Sequence, residues 1–411
     1  MRITNATLVL AIAAGAPLLA RSADVQVTSS TQNLFYQDFL SADRNQDDIA
    51  EYLRVNVTNL DPAGKASVHG YGRVLRQLAT SDESRPEIAT DTVGRLYYLY
   101  LDYRDVIPDL DLKVGRSFLS AAAAPGTVDG LYLNLKSLGP VGLTAFGGRR
   151  VILTNKSEVW VADNELAGGS LYFDAPRSTH AEVSYAVKYT QGEFAQEYVA
   201  LDVSSTPFQT VNLVGRARYD AVSDRLNEVL GDLNLTPISN LTVKGEYYLS
   251  HPTFDRFSFY RFFNVNDYRQ LSVAAEYRFT PDYRLNAKYA NEHFDGDTTA
   301  DLYVVGVFAR PLPSLILNAT YQVRTGFAGW LNGLKFSGSY RIAMATLLAG
   351  IDYDDFRSED LSSRTGTAKK YWAGLNYEFS RIFGASARAE DNLNFYFSHA
   401  YQGLVALNVH L

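Results

Sequence analysis

The sequence predicts an all-β fold: a single antiparallel transmembrane β-barrel of about 22 strands, or as few as about 16 if the weaker segments fail. Three observations predict it. Apolar and polar side chains alternate with a period of two along most of the chain. Short polar breaks, most of them carrying a proline, interrupt that alternation at fairly even spacing. Several apolar rows also end in aromatic residues beside a break.

The alternation is clearest in LSVAAEYRFTPDYRLNAKYANEHF at 271–294. Leu271, Val273, Ala275, Tyr277 and Phe279 share one face, against Ser272, Ala274, Glu276 and Arg278. After Thr-Pro-Asp, Leu285, Ala287 and Tyr289 oppose Arg284, Asn286, Lys288 and Ala290. Successive side chains on a strand point to opposite faces, so this is a β-hairpin with one apolar and one charged face. Pro281 lacks the N–H that a ladder needs and belongs in the turn. The same division holds for Leu241, Val243, Tyr247 and Leu249 against Thr242, Lys244 and Glu246. It holds again for Leu213, Ala217 and Tyr219 against Arg216 and Arg218.

From the N-terminus, MRITNATLVLAIAAGAPLLARSADVQV has a charged start at Arg2, an apolar run from Ala6 to Leu19 and small residues near Ser22. Residues 1–23 therefore read as a secretory signal peptide, the run being shorter than the ~20 residues a membrane helix needs. Residues 24–411 read as one barrel domain. Pro62, Pro108, Pro140, Pro176, Pro207, Pro237, Pro281 and the Pro311/Pro313 pair mark short turns, and none is expected inside a strand. Successive turns lie roughly 30–46 residues apart, room for two strands of about ten residues and one longer loop. Turns near Ile342–Ala345 and Arg381–Gly384 continue the series without proline. Longer loops are expected at 41–48, 81–91, 118–126, 154–163, 251–263 and 357–366. The first strand is expected around Asn33–Phe39, and the region 221–235 is the other weak segment.

A secreted β-sandwich or β-helix is the competing architecture. Against it stand the aromatics placed where an apolar row meets a turn or loop: Tyr97, Tyr103, Phe279, Tyr289, Tyr377 and Phe379. A membrane barrel carries such girdles at the lipid–water boundary, whereas a sandwich buries its rings mid-core. Closure also removes the strand edges that hydrocarbon cannot solvate.

Composition narrows the function. Without Arg2 and Arg21 the mature chain carries 36 Lys+Arg against 45 Asp+Glu, a balance of −9 that argues against a nucleic-acid partner. The chain has no cysteine, so it has no disulfide, no lipoprotein anchor, no thiolate metal site and no C-x-x-C-H haem attachment of its own. The six histidines form no H-E-x-x-H and no close pair. HPTFD at 251–255 is the best catalytic candidate, and a histidine capping a loop is the better reading of it. SADRNQDD at 41–48 imitates a calcium loop through Asp43, Asn45 and Asp47, but Asp48 and Arg54 stand where glycine and glutamate belong. That stretch and FDGD at 294–297 could hold a divalent cation only loosely. No enzyme activity, cofactor or resident metal is expected. What remains is an inner wall carrying Arg216, Arg218, Lys244, Glu246, Glu276, Arg278, Arg284, Lys288 and Glu292, mixed in sign and so expected to be weakly ion-selective.

The layout resembles bacterial outer-membrane barrels of the porin type. LKVGRSFLSAAAAPGTVDGLYLNLK at 112–136 is similar to a Gly-Arg … Asp-Gly hairpin of several porin families, through Gly115-Arg116 and Asp129-Gly130. One departure is the final residue: such barrels usually end in Phe or Trp, this chain in Leu411. The resemblance implies a bacterial outer-membrane location, lipid as the outer solvent, and passage of small polar solutes or ions. No plug domain fits before the strands, and the loops look short for a self-made constriction. The chain thereby also resembles the barrel component of porin–cytochrome electron conduits, as does YLRVNV…SVHGYGR at 52–73. That second resemblance implies multihaem c-type cytochromes in the lumen, with the haem held by the partners.

Overall fold

The computed structural model describes residues 23–37, 45–79, 92–152, 164–175, 178–254, 267–295, 298–358, 364–394 and 396–411. The expected signal peptide lies outside these residues except for Ala23, as do the loop at 154–163 and the start of the acidic stretch at 41–48.

Strands account for nearly all of the described chain. They are β1 Asp24–Tyr36, β2 Gln46–Thr58, β3 Ala66–Ala79, β4 Thr92–Ile107, β5 Leu110–Leu119, β6 Gly126–Leu138 and β7 Val141–Arg150. Next come β8 Asn164–Ala175, β9 Thr179–Thr190, β10 Glu193–Phe208, β11 Val211–Asp220, β12 Arg225–Ile238, β13 Leu241–Ser250, β14 Tyr268–Thr280 and β15 Tyr283–Phe294. The last are β16 Thr298–Leu312, β17 Leu315–Gly326, β18 Gly329–Ile342, β19 Ala345–Ser358, β20 Arg364–Glu378, β21 Phe383–Leu393 and β22 Ala400–His410. The first strand begins well before Asn33, because the alternation Val25, Val27 against Gln26, Thr28 is already sufficient to pair with β2.

Each strand pairs antiparallel with the next, and β22 returns to β1 from Thr28↔His410 to Tyr36↔Gln402. The result is a closed 22-stranded barrel. The seam is tied off by reciprocal backbone bonds, Val27 N to Leu411 O at 2.9 Å and Leu411 N to Val27 O at 2.8 Å. A barrel of this strand number has a backbone diameter on the order of 40 Å. Among the described residues each strand packs substantially only on its two neighbours, so no second layer crosses the hollow.

One rim carries short turns, the start of β1 and the end of β22. There Asp61 shapes the β2–β3 turn: its Oδ1 accepts from the Ala66 N–H at 2.8 Å and the Lys65 N–H at 2.6 Å. Those donors hold its carboxyl below the usual carboxylate range. The opposite rim carries the longer connections, with a difference from the expected alternation. Gln191-Gly192 and Phe327-Ala328 close tight hairpins there too. Gln191 at φ 55° and Gly192 at φ 76° give the left-handed pair of a type I′ turn, whose twist matches the strands.

The prolines also depart from expectation. Pro207, Pro237 and Pro311 are the penultimate residues of β10, β12 and β16 rather than turn residues. Each sits inside a register shift, Ser205/Phe208, Leu235/Ile238 and Ala309/Leu312, where the ladder does not need the missing N–H.

The apolar rows face outward. Leu271 is 57% exposed and Val273 51%, with Ser272 between them buried. Tyr277 meets Phe279 edge-on at 4.9 Å and Tyr377 meets Phe379 at 4.7 Å, forming the aromatic girdle at the short-turn rim. Tyr97 does not belong to a girdle. A register shift between Tyr71 and Gly72 bulges β4 at this point, and Tyr97 stacks on Tyr71 inside the barrel at 4.9 Å.

Candidate functional site: the inner wall

The nine charged residues singled out in the sequence all fall on the row opposite the exposed apolar row, and cross-strand register sorts them into local clusters. Asp202 stands across from Arg216, whose Nε donates to it at 2.8 Å. Arg218 donates to Glu228 at 2.8 Å and to Asn227 at 2.7 Å. Lys244 lies between Asp232 at 2.6 Å and Glu246 at 2.9 Å. Arg278 and Arg284 are register partners, and Glu276 offsets that repulsion, 2.9 Å from one and 3.9 Å from the other. Glu292 accepts from Arg324 at 3.0 Å and from the Tyr268 hydroxyl at 3.1 Å. Lys288 alone of the nine has no ion-pair partner among the described residues. Half-exposed pairs of this kind contribute up to about 1 kcal/mol each, so their main effect is to fix register and cancel charge.

On β2–β6 the wall has a different chemistry, missed in the sequence. Tyr52 and Arg54 sit two apart on β2, Tyr71 and Arg73 two apart on β3, and antiparallel pairing sets each arginine opposite the other strand's tyrosine. Arg54 lies over the Tyr71 ring at 4.9 Å and Arg73 over Tyr52 at 5.9 Å. Tyr98 and Tyr100 extend the stack at 5.7 and 5.8 Å, and Lys113 lies over Tyr132 at 5.5 Å. These cations rest on ring faces, which attract them electrostatically without neutralising them. Arg54 and Arg73 have no ion pair among the described residues. The repeated Tyr-x-Arg was the available signal.

Between these two walls the hollow is narrowed. Segment 120–125, joining β5 to β6, folds inward, with Ala121, Ala122, Ala123 and Ala124 buried. They pack with Phe146, Leu166, Ala186, Tyr198 and Ala200 on the inner rows of β7–β10. The Ala123 N–H donates to Ser184 Oγ at 3.0 Å, which anchors the segment to the wall. Only small side chains let backbone lie this flat on a sheet. The expectation that no loop constricts the barrel therefore fails: buried alanines, rather than loop length, bring this segment inside.

The Gly-Arg … Asp-Gly motif lies on β5 and β6, the two strands that flank that segment. Gly115 has φ +119°, and a Cβ there would stand 2.4 Å from the Leu99 carbonyl oxygen. Its partner Gly130 would bring a Cβ to 2.0 Å from the Gly147 oxygen. Next to them, Arg116 and Asp129 form a bidentate pair, Nε and Nη2 each donating at 2.6 Å, and Arg116 Nη1 also donates to Leu96 O at 2.7 Å. Arg116 is 3% exposed.

The catalytic candidate at His251 has both ring nitrogens engaged, Nε2 by Arg225 at 2.6 Å and Nδ1 by Asp267. It joins strand ends at the long-loop rim, as the loop-capping reading expects. Asp255 of the same stretch lies outside the described residues, as do Asp43 of the first acidic stretch and Gly296 and Asp297 of the second. Among the described residues no group of acids and histidines is arranged to hold a metal ion.

No protein-family model matches the chain. Nor does any curated protein match it in sequence. Solved structures do. The chain is similar to OccAB2 of Acinetobacter baumannii, with TM-score 0.52 at 9% identity over 96% of this chain and 98% of that one. It is similar to a BenF-like porin from Pseudomonas fluorescens Pf-5, with TM-score 0.50 at 10% identity over 96% and 99%. The translocation pore of the P pilus usher PapC matches equally well, with TM-score 0.51 at 10% identity over 94% and 99%. At such identities the likeness is one of fold: this is a barrel of the bacterial outer-membrane type.

Proposed function

We propose that the chain is exported by its N-terminal leader and forms a polar, non-catalytic passage for small hydrophilic solutes or ions across the outer membrane, narrowed on one side by segment 120–125. The observation that supports this is the division of most strands into an outward apolar row and an opposite row that carries the charges and hydroxyls. Lipid accepts the first, and only water or a polar guest accepts the second. The paired charges of β10–β17 argue for weak ion selectivity, displaced toward anions by Arg54 and Arg73 on the facing wall.

Planar-bilayer recording of the purified chain tests this reading. The mature chain should begin near Asp24. Steady conductance should appear without any partner, and its reversal potential in a salt gradient should lie slightly on the anion side. A chain that conducts nothing alone but co-purifies with c-type haem absorbance would overturn the passage. It would instead favour the sheath around multihaem cytochromes that the second resemblance implies.

A further inference from the structure

The outward surface is not the same all the way round. Over β9–β22 many outward rows rise from the short-turn rim through Leu, Val and Ala to an exposed tyrosine, among them Tyr185, Tyr219, Tyr289, Tyr303, Tyr353 and Tyr371. Above Tyr289, Tyr303, Tyr353 and Tyr371 the row turns polar, at Asn291, Asp301, Asp355 and Lys369. Tyr185 donates to Glu197 and Tyr289 to Asp301, both at 2.8 Å. Rings with a wet hydroxyl and an apolar body belong at a lipid–water boundary. Over β1–β8 the described residues include no such exposed tyrosine.

The same sector has a second irregularity. The outward row of β1 reads Ser29, Thr31, Asn33, and beside it on β2 stands Glu51, whose carboxylate accepts from both the Ser29 and Thr31 hydroxyls. Across the seam, Ser29, Thr31 and Asn33 face Val409, Leu407 and Val405, and Leu407 is 56% exposed. A carboxylate thus sits at the level of the apolar belt, where lipid contact is costly.

A third irregularity adjoins it. Gly70, Gly72 and Gly94 thin the outward rows of β3 and β4 and leave a groove of about 890 Å³, walled by Leu53, Val74 and Leu99. At its upper end Arg76 is exposed, without an ion-pair partner among the described residues.

We infer that this face is covered by a second copy of the chain, in a two-fold dimer whose axis runs along the bilayer normal between β2 and β3. Glu51 pairs in register with Val74, and Arg76 with Ile49, so the two charges lie a diagonal step apart on adjacent strands. A two-fold axis between those strands carries Glu51 of one protomer opposite Arg76 of the other, and the reverse, so that one patch satisfies itself twice. Gly70 and Gly72 beside the axis allow close backbone approach, and the outward rows of β2 and β3 carry no aromatic ring to hold the copies apart. This inference rests on the barrel lying in a bilayer and is independent of whether it conducts.

Because the chain has no cysteine, single substitutions report cleanly. Oxidative crosslinking in isolated outer membranes should convert V74C to a dimer and leave V305C, on the exposed row of β16, monomeric. E51R or R76E alone should abolish the V74C crosslink, and the double variant E51R/R76E should restore it. Heat-shift electrophoresis confirms that each variant is folded. A V74C band that stays monomeric, moves to a trimer, or joins a chain of different mass overturns the inference. Failure of the double variant to restore a crosslink that both single variants lose does so as well.

Discussion

Arg116 shows what one residue can hold. It is nearly inaccessible, and its guanidinium bonds both oxygens of Asp129 and a backbone carbonyl. Removing one partner of such a pair leaves a buried charge unpaired, a loss of about 3–5 kcal/mol, whereas replacing both by apolar groups is often close to neutral. R116A should therefore lower stability by several kcal/mol in urea unfolding followed by tryptophan fluorescence, and R116M/D129L should recover most of it. An equal loss in both variants would mean that packing, not charge, sets the cost. At this scale the sequence was only partly legible. Gly115-Arg116 and Asp129-Gly130 stood out as a weak motif because nothing in a linear string shows that Gly115 faces Gly130. The Tyr-x-Arg pairs escaped notice for a related reason. Tyrosine suits a lipid boundary and a wet wall equally, and only the bulge in β4 turns Tyr97 inward.

Among elements, the hairpins were the most readable. In 271–294 the two faces differ so strongly that a one-residue slip would expose Arg278 and Glu276 to lipid, so register is fixed by the pattern itself. Strand ends were less readable, because Pro207, Pro237 and Pro311 tolerate one more residue of pairing than a proline-as-turn rule allows. Segment 120–125 was the least readable. Four successive alanines carry no period and no charge, and their destination depends on the small floor beneath them. That contact can be tested directly. Deleting Ala121–Ala124 should raise single-channel conductance, and S184V, which removes the anchoring acceptor for the Ala123 N–H, should increase current noise with little change in the mean. Unchanged conductance in the deletion would show that the segment lies clear of the narrowest point.

For the whole molecule, closure has a kinetic meaning. Every ladder but one joins strands that follow each other in sequence, and the exception pairs Thr28 with His410. Bringing such distant ends together costs about 5 kcal/mol of chain entropy, scaling as 1.5 RT ln n. Removing residues 400–411 should leave the chain without its heat-resistant compact band on electrophoresis, although the other ladders remain possible. A compact band in that variant would mean that β21 can zip to β1 unaided. Until the last strand arrives, both edges of the growing sheet stay open as templates for any passing strand. The seam therefore sets a deadline: the chain stays vulnerable to wrong partners for the whole of its assembly, and commits to one only when its two ends meet.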